Sequence, residues 1–304
     1  MADDLLISVD STTSLTEELQ KHNNVIKTDL TYYVDGEERF DAFSDALEKS
    51  KVYDELRDGA KASPDNITPK HFMEDWKPLL QAGKTILHLS VSSKICSAFR
   101  SASIAADALN SVYPDKIRVF DTLIAGGCVA DMALEAADMS AKGASVEQIV
   151  VHLMQERDKY NLLICVDDIS HAKEDGIINT FQAVIGEMIG IRPILYTTTD
   201  GRITLGGIAR GLKNVYSLGV DIMDFAKSDE TTWALVEHAG DEYNALTMIE
   251  LIRDRIKQIK KTEVGVISPI IGINAGPGMV CIYFKGKSRN TVSEYAKKLK
   301  KNIK

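Results

Sequence analysis

Thr85-Ile86-Leu87-His88-Leu89, running into Ser90-Val91-Ser92-Ser93, is the stretch that decides the fold. A short, uncharged and mostly apolar run reads as a buried strand. The polar run after it reads as a loop into a helix that continues through Ala108. The same unit recurs on both sides. Upstream, Leu5-Leu6-Ile7-Ser8-Val9 is an apolar run that ends at Asp10-Ser11-Thr12-Thr13-Ser14, a polar loop able to cap the next helix. Downstream, Ile117–Phe120 precedes an Ala-rich helix from about Leu123 to Ala141, and Ser145-Val146-Glu147 opens another to about Lys159. Strands alternating with helices predict a mostly parallel sheet with helices on both faces. Ligands of such sheets sit beyond the carboxyl ends of the strands, where the loops after Val9 and Leu89 lie.

Between these units, Asn24–Leu30 reads as a strand and Leu30 to Phe40 as a hairpin around Asp35-Gly36, a pair suited to positive φ. Thr68-Pro69 starts a helix that closes near Gly83. Near Tyr160 the texture changes to hairpins and longer helices. Leu162–Val166 is a strand, and Arg192 to Thr198 turns at Asp200-Gly201 into Arg202–Leu205. A helix follows from about Ala209 to Ala226. Trp233–His238, Val264–Ile267 and Met279–Phe284 are further strands, with a helix over Tyr243–Lys261. The expected organisation is an N-terminal α/β domain over 1–158, a C-terminal α+β domain over 159–287, and a lysine-rich terminal helix over 288–304 whose charge is a solvated face.

Composition narrows the function. The chain has 304 residues, 44% hydrophobic and 26% charged, as an ordinary folded protein does. Its 36 basic and 44 acidic residues leave a net charge of -8, which disfavours nucleic acid as a partner. Cys96, Cys128, Cys165 and Cys281 are widely spaced and read as free thiols in a reducing compartment. The start, Met1-Ala2-Asp3-Asp4, is acidic where a signal peptide is basic, and no run of about 18 apolar residues occurs. The expected location is the cytoplasm, without membrane insertion.

Several chemistries lack their motifs: GxxxxGK[ST], HExxH and GxSxG are absent. The six histidines form no metal-like cluster, and His88, within a strand pattern, reads as structural. Asp10 and Asp121 each end a strand and serve either as helix caps or toward a ligand. Ser90-Val91-Ser92-Ser93 is either a cap or, with free helix N–H groups, a carboxylate or phosphate site. Ile271-Gly272-Ile273-Asn274-Ala275-Gly276-Pro277-Gly278 is either a tight turn or a close backbone approach to a ligand.

Taken in order, these segments resemble the DegV family of fatty-acid-binding proteins. Val9-Asp10-Ser11-Thr12-Thr13-Ser14-Leu15 is similar to its TDSTADL segment, and Lys61-Ala62-Ser63 with Asn66-Ile67-Thr68-Pro69 to its KTSQPSP segment. Ser92-Ser93-Lys94-Ile95-Cys96-Ser97-Ala98-Phe99-Arg100-Ser101-Ala102 follows its SSxLSGTYQSA segment. Phe120-Asp121-Thr122 with Gly126-Gly127 follows its DS…G segment, Ile191-Arg192-Pro193-Ile194-Leu195 with Asp200-Gly201 its IKPIL…DG run, and Gly272 to Gly278 its GAHTGPG loop. The resemblance covers residues from about 4 to 285. It implies two domains with a fatty acid held between them, the carboxyl head bound by hydroxyls and a histidine, and the tail in an apolar tunnel. It further implies a lipid-binding protein without a catalytic residue of its own. Its ligand is a long-chain fatty acid, it needs no other cofactor, and its partner is a fatty acid kinase subunit. Burying about 14 methylenes at roughly 0.8 kcal/mol each supplies about 11 kcal/mol gross toward holding such a tail.

Carried over residue by residue, the head-group positions are Ser63, Ser92, Ser93, Asn274 and Gly276. Four family positions have diverged: Ala62 replaces a Thr, Ala98 a Thr, Ile177 an Arg, and Ala275 a Thr. Asn274 itself stands where the family has His. These changes weigh against acyl phosphorylation more than against tail binding, because an Arg and a His supply charge to a phosphate. Arg202 and Arg210 are candidate surrogates. The alternatives are an enzyme acting on a small carboxylated or phosphorylated metabolite through Asp10, Ser93 and Asp121, and a family member that has lost its ligand. A long apolar cavity separates the lipid reading from the enzyme, which needs a short polar one.

Overall fold

The computed structural model describes residues 4–14, 16–41, 46–64, 67–167 and 190–302. The first half runs β1 (Leu5–Asp10), α1 (Glu17–Lys21), β2 (Val25–Thr28), β3 (Leu30–Val34), β4 (Glu37–Asp41), α2 (Ala46–Arg57), β5 (Ala62–Pro64), α3 (Pro69–Gln81), β6 (Thr85–Ser90), α4 (Ala98–Asn110), β7 (Ile117–Asp121), α5 (Gly127–Ala141) and α6 (Val146–Glu156). The second half runs β8 (Tyr160–Cys165), β9 (Ile191–Thr197), β10 (Ile203–Arg210), α7 (Leu212–Ala226), β11 (Trp233–His238), α8 (Glu242–Arg255), β12 (Lys261–Val266), α9 (Pro269–Gly272), β13 (Val280–Lys285) and α10 (Arg289–Asn302).

The described residues form three sheets. The first is parallel, in the order β2-β1-β6-β7, with Ile7 opposite Leu87 and Ser8 opposite His88. The reversal of strand order about β1 puts the carboxyl ends of β1 and β6 at the natural ligand crevice. The second sheet, β10-β9-β8-β13-β11-β12, is antiparallel except for the β11–β12 pair. A small sheet, β4-β3-β5, is the hairpin expected around Asp35-Gly36, both of which have positive φ, plus one strand.

Helix α5 packs between the two large sheets, against β1 and β6 on one side and β8 and β13 on the other. Its buried residues include Ala130, Ala133, Ala136 and Ala137, small enough to let both sheets come close, beside the larger Val129 and Met132. Its N-cap and first residue are closely packed glycines. A Cβ on Gly126 would lie 2.4 Å from the Tyr283 hydroxyl, and one on Gly127 2.4 Å from Leu235 Cδ2. Along β8 and β13, alternate residues serve different cores: Leu163 and Ile282 pack with α7 and α8, whereas Leu162 and Tyr283 face the first half.

The structure departs from the sequence expectations at several boundaries. The helix expected over Tyr243–Lys261 ends at Arg255, with Lys261 already opening β12, and the helix expected from about Ala209 begins at Leu212, because β10 pairs with β9 as far as Arg210. The stretch after β6 passes through a turn before α4 begins at Ala98, so Ser93 does not open the helix. Helix α5 begins at Gly127 and not near Leu123, because Leu123 has φ +56°, outside helical space. The strand expected over Asn24–Leu30 is two strands in two sheets, β2 and β3. The terminal helix exposes Lys297 and Lys298 but is also anchored. Val292 and Ala296 are buried, and the fully buried Arg289 donates to the carbonyls of Leu123, Thr198 and Arg157.

Candidate lipid-binding site

A cavity of about 260 Å³ lies between the two halves. The first half contributes Pro64, Ile67, Ile95, Cys96, Ser97 and Ala125. The second contributes Leu162 and Ile164 from β8, Leu195 and Ile203 from β9 and β10, Cys281 and Tyr283 from β13, and Ile270, Ile271, Asn274, Ala275 and Met279 around α9. Apart from the phenol of Tyr283 and two thiols, the wall's polar side chains are Ser97 and Asn274. Such a lining holds an apolar body by burial and orients it with few polar contacts.

Ser97 is the N-cap of α4, and its side chain makes no capping hydrogen bond. Its hydroxyl is available to a ligand, at the end of a 13-residue helix whose first N–H groups favour negative charge. Asn274 offers an amide from the second half. Cys96, beside Ser97, occupies the position of the serine in the family's LSGTY run. Burial pushes its thiol up to about 12, with the carboxyl of Asp10 adding to the rise, so it stays a neutral thiol.

The sequence-derived residues separate into groups. Asn274 and the diverged Ala275 line the cavity. Ser63, Ser92, Ser93 and Gly276 are not among its lining residues. Ser63 is exposed on β5, next to Ala62, and pairs with Tyr33. The Ser92 hydroxyl donates to the Gly201 carbonyl at 2.8 Å and accepts from Lys94 N–H, tying the two halves together. Ser93 N–H donates to Asp121 Oδ1, and Gly276 N–H to the Gly272 carbonyl. Ala98 is buried in the first turn of α4. Ile177 lies outside the described residues. Arg202 is exposed and paired with Asp200 at 3.0 Å, and Arg210 is exposed. Ser97, which stands at the glycine of the family's LSGTY run, is not among the head-group residues expected from the sequence. Its signal was the hydroxyl just before the apolar-periodic run beginning at Ala98.

The strand-end carboxylates act locally. Asp121 Oδ1 accepts from Ser93 and Leu123 N–H groups. Asp10 Oδ1 accepts from the backbone and hydroxyl of Thr12, and burial raises its pKa to about 6. A second cleft, of about 160 Å³, is lined by Glu18, Lys261, Glu263 and Asp131, in which Lys261 is already paired with both glutamates. Among the described residues no helix is long and apolar enough to cross a membrane.

The family model "Uncharacterised protein, DegV family" matches residues 4–287. The chain belongs to the DegV family. A DegV domain-containing protein of Clostridium perfringens is 26% identical over 289 residues, covering 93% of this chain and 98% of that one. Among solved structures, a DegV family protein from Thermus thermophilus, described by its fatty acid binding, superposes with a TM-score of 0.80 at 22% identity, covering 93% of this chain and 99% of that one. The Streptococcus pneumoniae fatty acid kinase B3 protein, loaded with linoleic acid, superposes with a TM-score of 0.77 at 18% identity, over 92% of this chain and 99% of that one. Four of the six DegV segments named from the sequence contribute to the cavity wall, through Ile67, through Ile95 to Ser97 before and at the start of α4, through Leu195 on β9, and through Asn274 and Ala275 after α9, whereas Val9–Leu15 and Phe120–Thr122 contribute no lining residue.

Proposed function

We propose that this DegV protein binds one long-chain fatty acid in the cavity between its halves. In this reading the head group lies at Ser97 and the α4 N-terminus, with Asn274 opposite, and the tail lies along β8 and β13. The observation that carries it is the cavity wall itself, apolar on both sides with a polar hydroxyl and an amide facing it. Ser93, through its N–H on Asp121, fixes the loop after β6, and Ser63 lies exposed on β5. The likeness to the pneumococcal kinase-system protein supports a fatty acid kinase as a cytoplasmic partner, with slow acyl phosphorylation expected of a site that has Asn274 where the family has His. The free cysteines suit that compartment.

Solvent extracts of purified protein, analysed by mass spectrometry under denaturing conditions, should contain about one fatty acid per chain. A clean extract, together with no rise in melting temperature on adding fatty acid, overturns the reading, because a ligand that binds the folded state must stabilise it.

A further inference from the structure

Helix α2 meets the second half of the molecule along one face. Lys49, Tyr53 and Arg57 stand at i, i+4 and i+8 and so line up along it. Tyr53 is fully buried, and its hydroxyl donates to the Ile267 carbonyl at 2.8 Å. Arg57 Nη2 donates to the Gly240 carbonyl at 2.8 Å. Lys49 Nζ lies 3.2 Å from Asp41 Oδ1, and the other oxygen of Asp41 accepts from the Ser268 hydroxyl. Tyr53 and the Asp41–Lys49 pair therefore hold Ile267 and Ser268, directly before the α9 wall that carries Ile270, Ile271 and Asn274. The fit has no slack. A Cβ on Gly272 would fall 2.0 Å from the Tyr53 hydroxyl, and one on Gly240 2.6 Å from Tyr53 Cβ. Helix α9 also packs on β3 and β5, and Pro64 of β5 lines the cavity.

We propose that α2 with the β3-β4-β5 sheet is a latched cover of the cavity, and that Tyr53 is the positioning residue whose release lets the ligand in and out. The proposal rests on the lipid reading above. Lys49, Tyr53 and Arg57 are not among the residues that line the cavity, so they do not select the ligand. They set how often the α9 wall parts from α2. Such a local opening breaks a few polar contacts and is a sub-global event, well below global unfolding. An opening that precedes both uptake and release multiplies the two rate constants by the same factor and leaves their ratio alone.

The test measures uptake and displacement of a fluorescent long-chain fatty acid by stopped flow. Tyr53→Phe keeps the ring and removes the hydroxyl. It should raise both association and dissociation rates about tenfold, the order expected for a lost buried hydrogen bond, with Kd changed less than threefold. Trp76→Phe, which removes the indole bond to Ser8 under the parallel sheet, should lower the melting temperature and leave both rates as in wild type. Rates unchanged in Tyr53→Phe, or a change in only one of them, overturn the latch. Arg57→Gln, at an exposed position, repeats the test if Tyr53→Phe folds poorly. Hydrogen exchange of the ligand-free protein separates the two ideas. Faster exchange of the Gly272, Ile273 and Ala275 amides in Tyr53→Phe supports the latch even if wild type takes up no fatty acid, a result that would sink only the lipid reading. Unchanged exchange there counts against the latch alone.

Discussion

Asp10 Oδ2 faces His88 Nε2 at 3.7 Å inside the parallel sheet, and neither atom has a hydrogen-bond partner. Both side chains are fully buried. Burial raises the Asp10 carboxyl to about 6, against the pull of its Thr12 bonds, and lowers the His88 imidazole to about 3, against a hydrogen bond it donates to the Ser8 backbone. Both groups are thus held toward their neutral forms.

The two shifts act on stability with opposite signs. Asp10 has a folded pKa above its unfolded one, so its contribution is full below about pH 4 and is lost as pH rises to about 6. His88 has a folded pKa below its unfolded one, so its contribution is full above about pH 6.5 and is lost as pH falls toward 3. Between pH 4 and 6 the slopes oppose. Denaturant titrations should show Asp10→Asn losing stability relative to wild type on acidification through that window, and His88→Gln losing it on alkalinisation, each by up to about 1.4 kcal/mol per pH unit. Parallel curves for all three proteins would show that the pair does not titrate as described.

Ligand affinity should follow the cavity wall. Ser97→Ala and Asn274→Ala should each weaken fatty-acid binding by about 1 kcal/mol, the net worth of one hydrogen bond. Ser63→Ala should leave displacement titrations unchanged, since that side chain is exposed on β5. The reverse ranking would move the head group away from the α4 N-terminus.

Filling the cavity separates binding from folding. Ala275→Trp introduces a large ring at a partly buried lining position. Overpacking of this kind costs about 1–3 kcal/mol of stability, so the protein should still fold, but fatty-acid affinity should drop more than tenfold. Affinity equal to wild type would place the tail elsewhere.

The Ser92–Gly201 contact makes a stability prediction. Gly201 has φ +85°, and a Cβ there would lie 2.4 Å from Ser92 Oγ. Gly201→Ala should therefore cost at least about 2 kcal/mol, from the left-handed backbone alone and then from the clash. Thermal unfolding measures it, and a loss below half that figure would mean that the turn relaxes freely.

Acyl phosphate formation by an added fatty acid kinase should be slow in wild type, because Asn274 is neutral where a histidine could carry charge. Asn274→His, with Ile177→Arg, should raise the rate about a hundredfold if each donor acts on developing charge. Fast turnover by wild type in the reconstituted assay would show that these groups are dispensable.

Much of this architecture was legible in the sequence. The alternation of Leu5–Val9, Thr85–Leu89 and Ile117–Phe120 with amphipathic segments specifies the parallel sheet, and Asp35-Gly36 specifies the small hairpin through its positive φ. The site was less legible, because helix starts are local and tertiary contacts move them. The hydroxyls of Ser90 to Ser93 look like a cap, yet Ser92 is drawn to Gly201 across the molecule and the helix begins at Ala98. Leu123 carries no mark of a left-handed residue. Its carbonyl is held by Arg289, remote in sequence.

The strand order of the second sheet also sets a timetable for synthesis. Residues 5–121 supply every strand of the parallel sheet, which can form while the rest of the chain is still being made. Strand β8 emerges next, but its neighbour β13 is almost the last element translated, and it sits between β8 and β11. Pairing so distant in the chain is slow and must wait for the ribosome to release the C-terminus. Until then the wall opposite Ile67, Ile95 and Ala125 lacks Cys281 and Tyr283, and part of the apolar lining stays uncovered. A truncation before Val280 should therefore leave the cavity open along β8 and the chain prone to aggregate, which light scattering of the truncated protein measures.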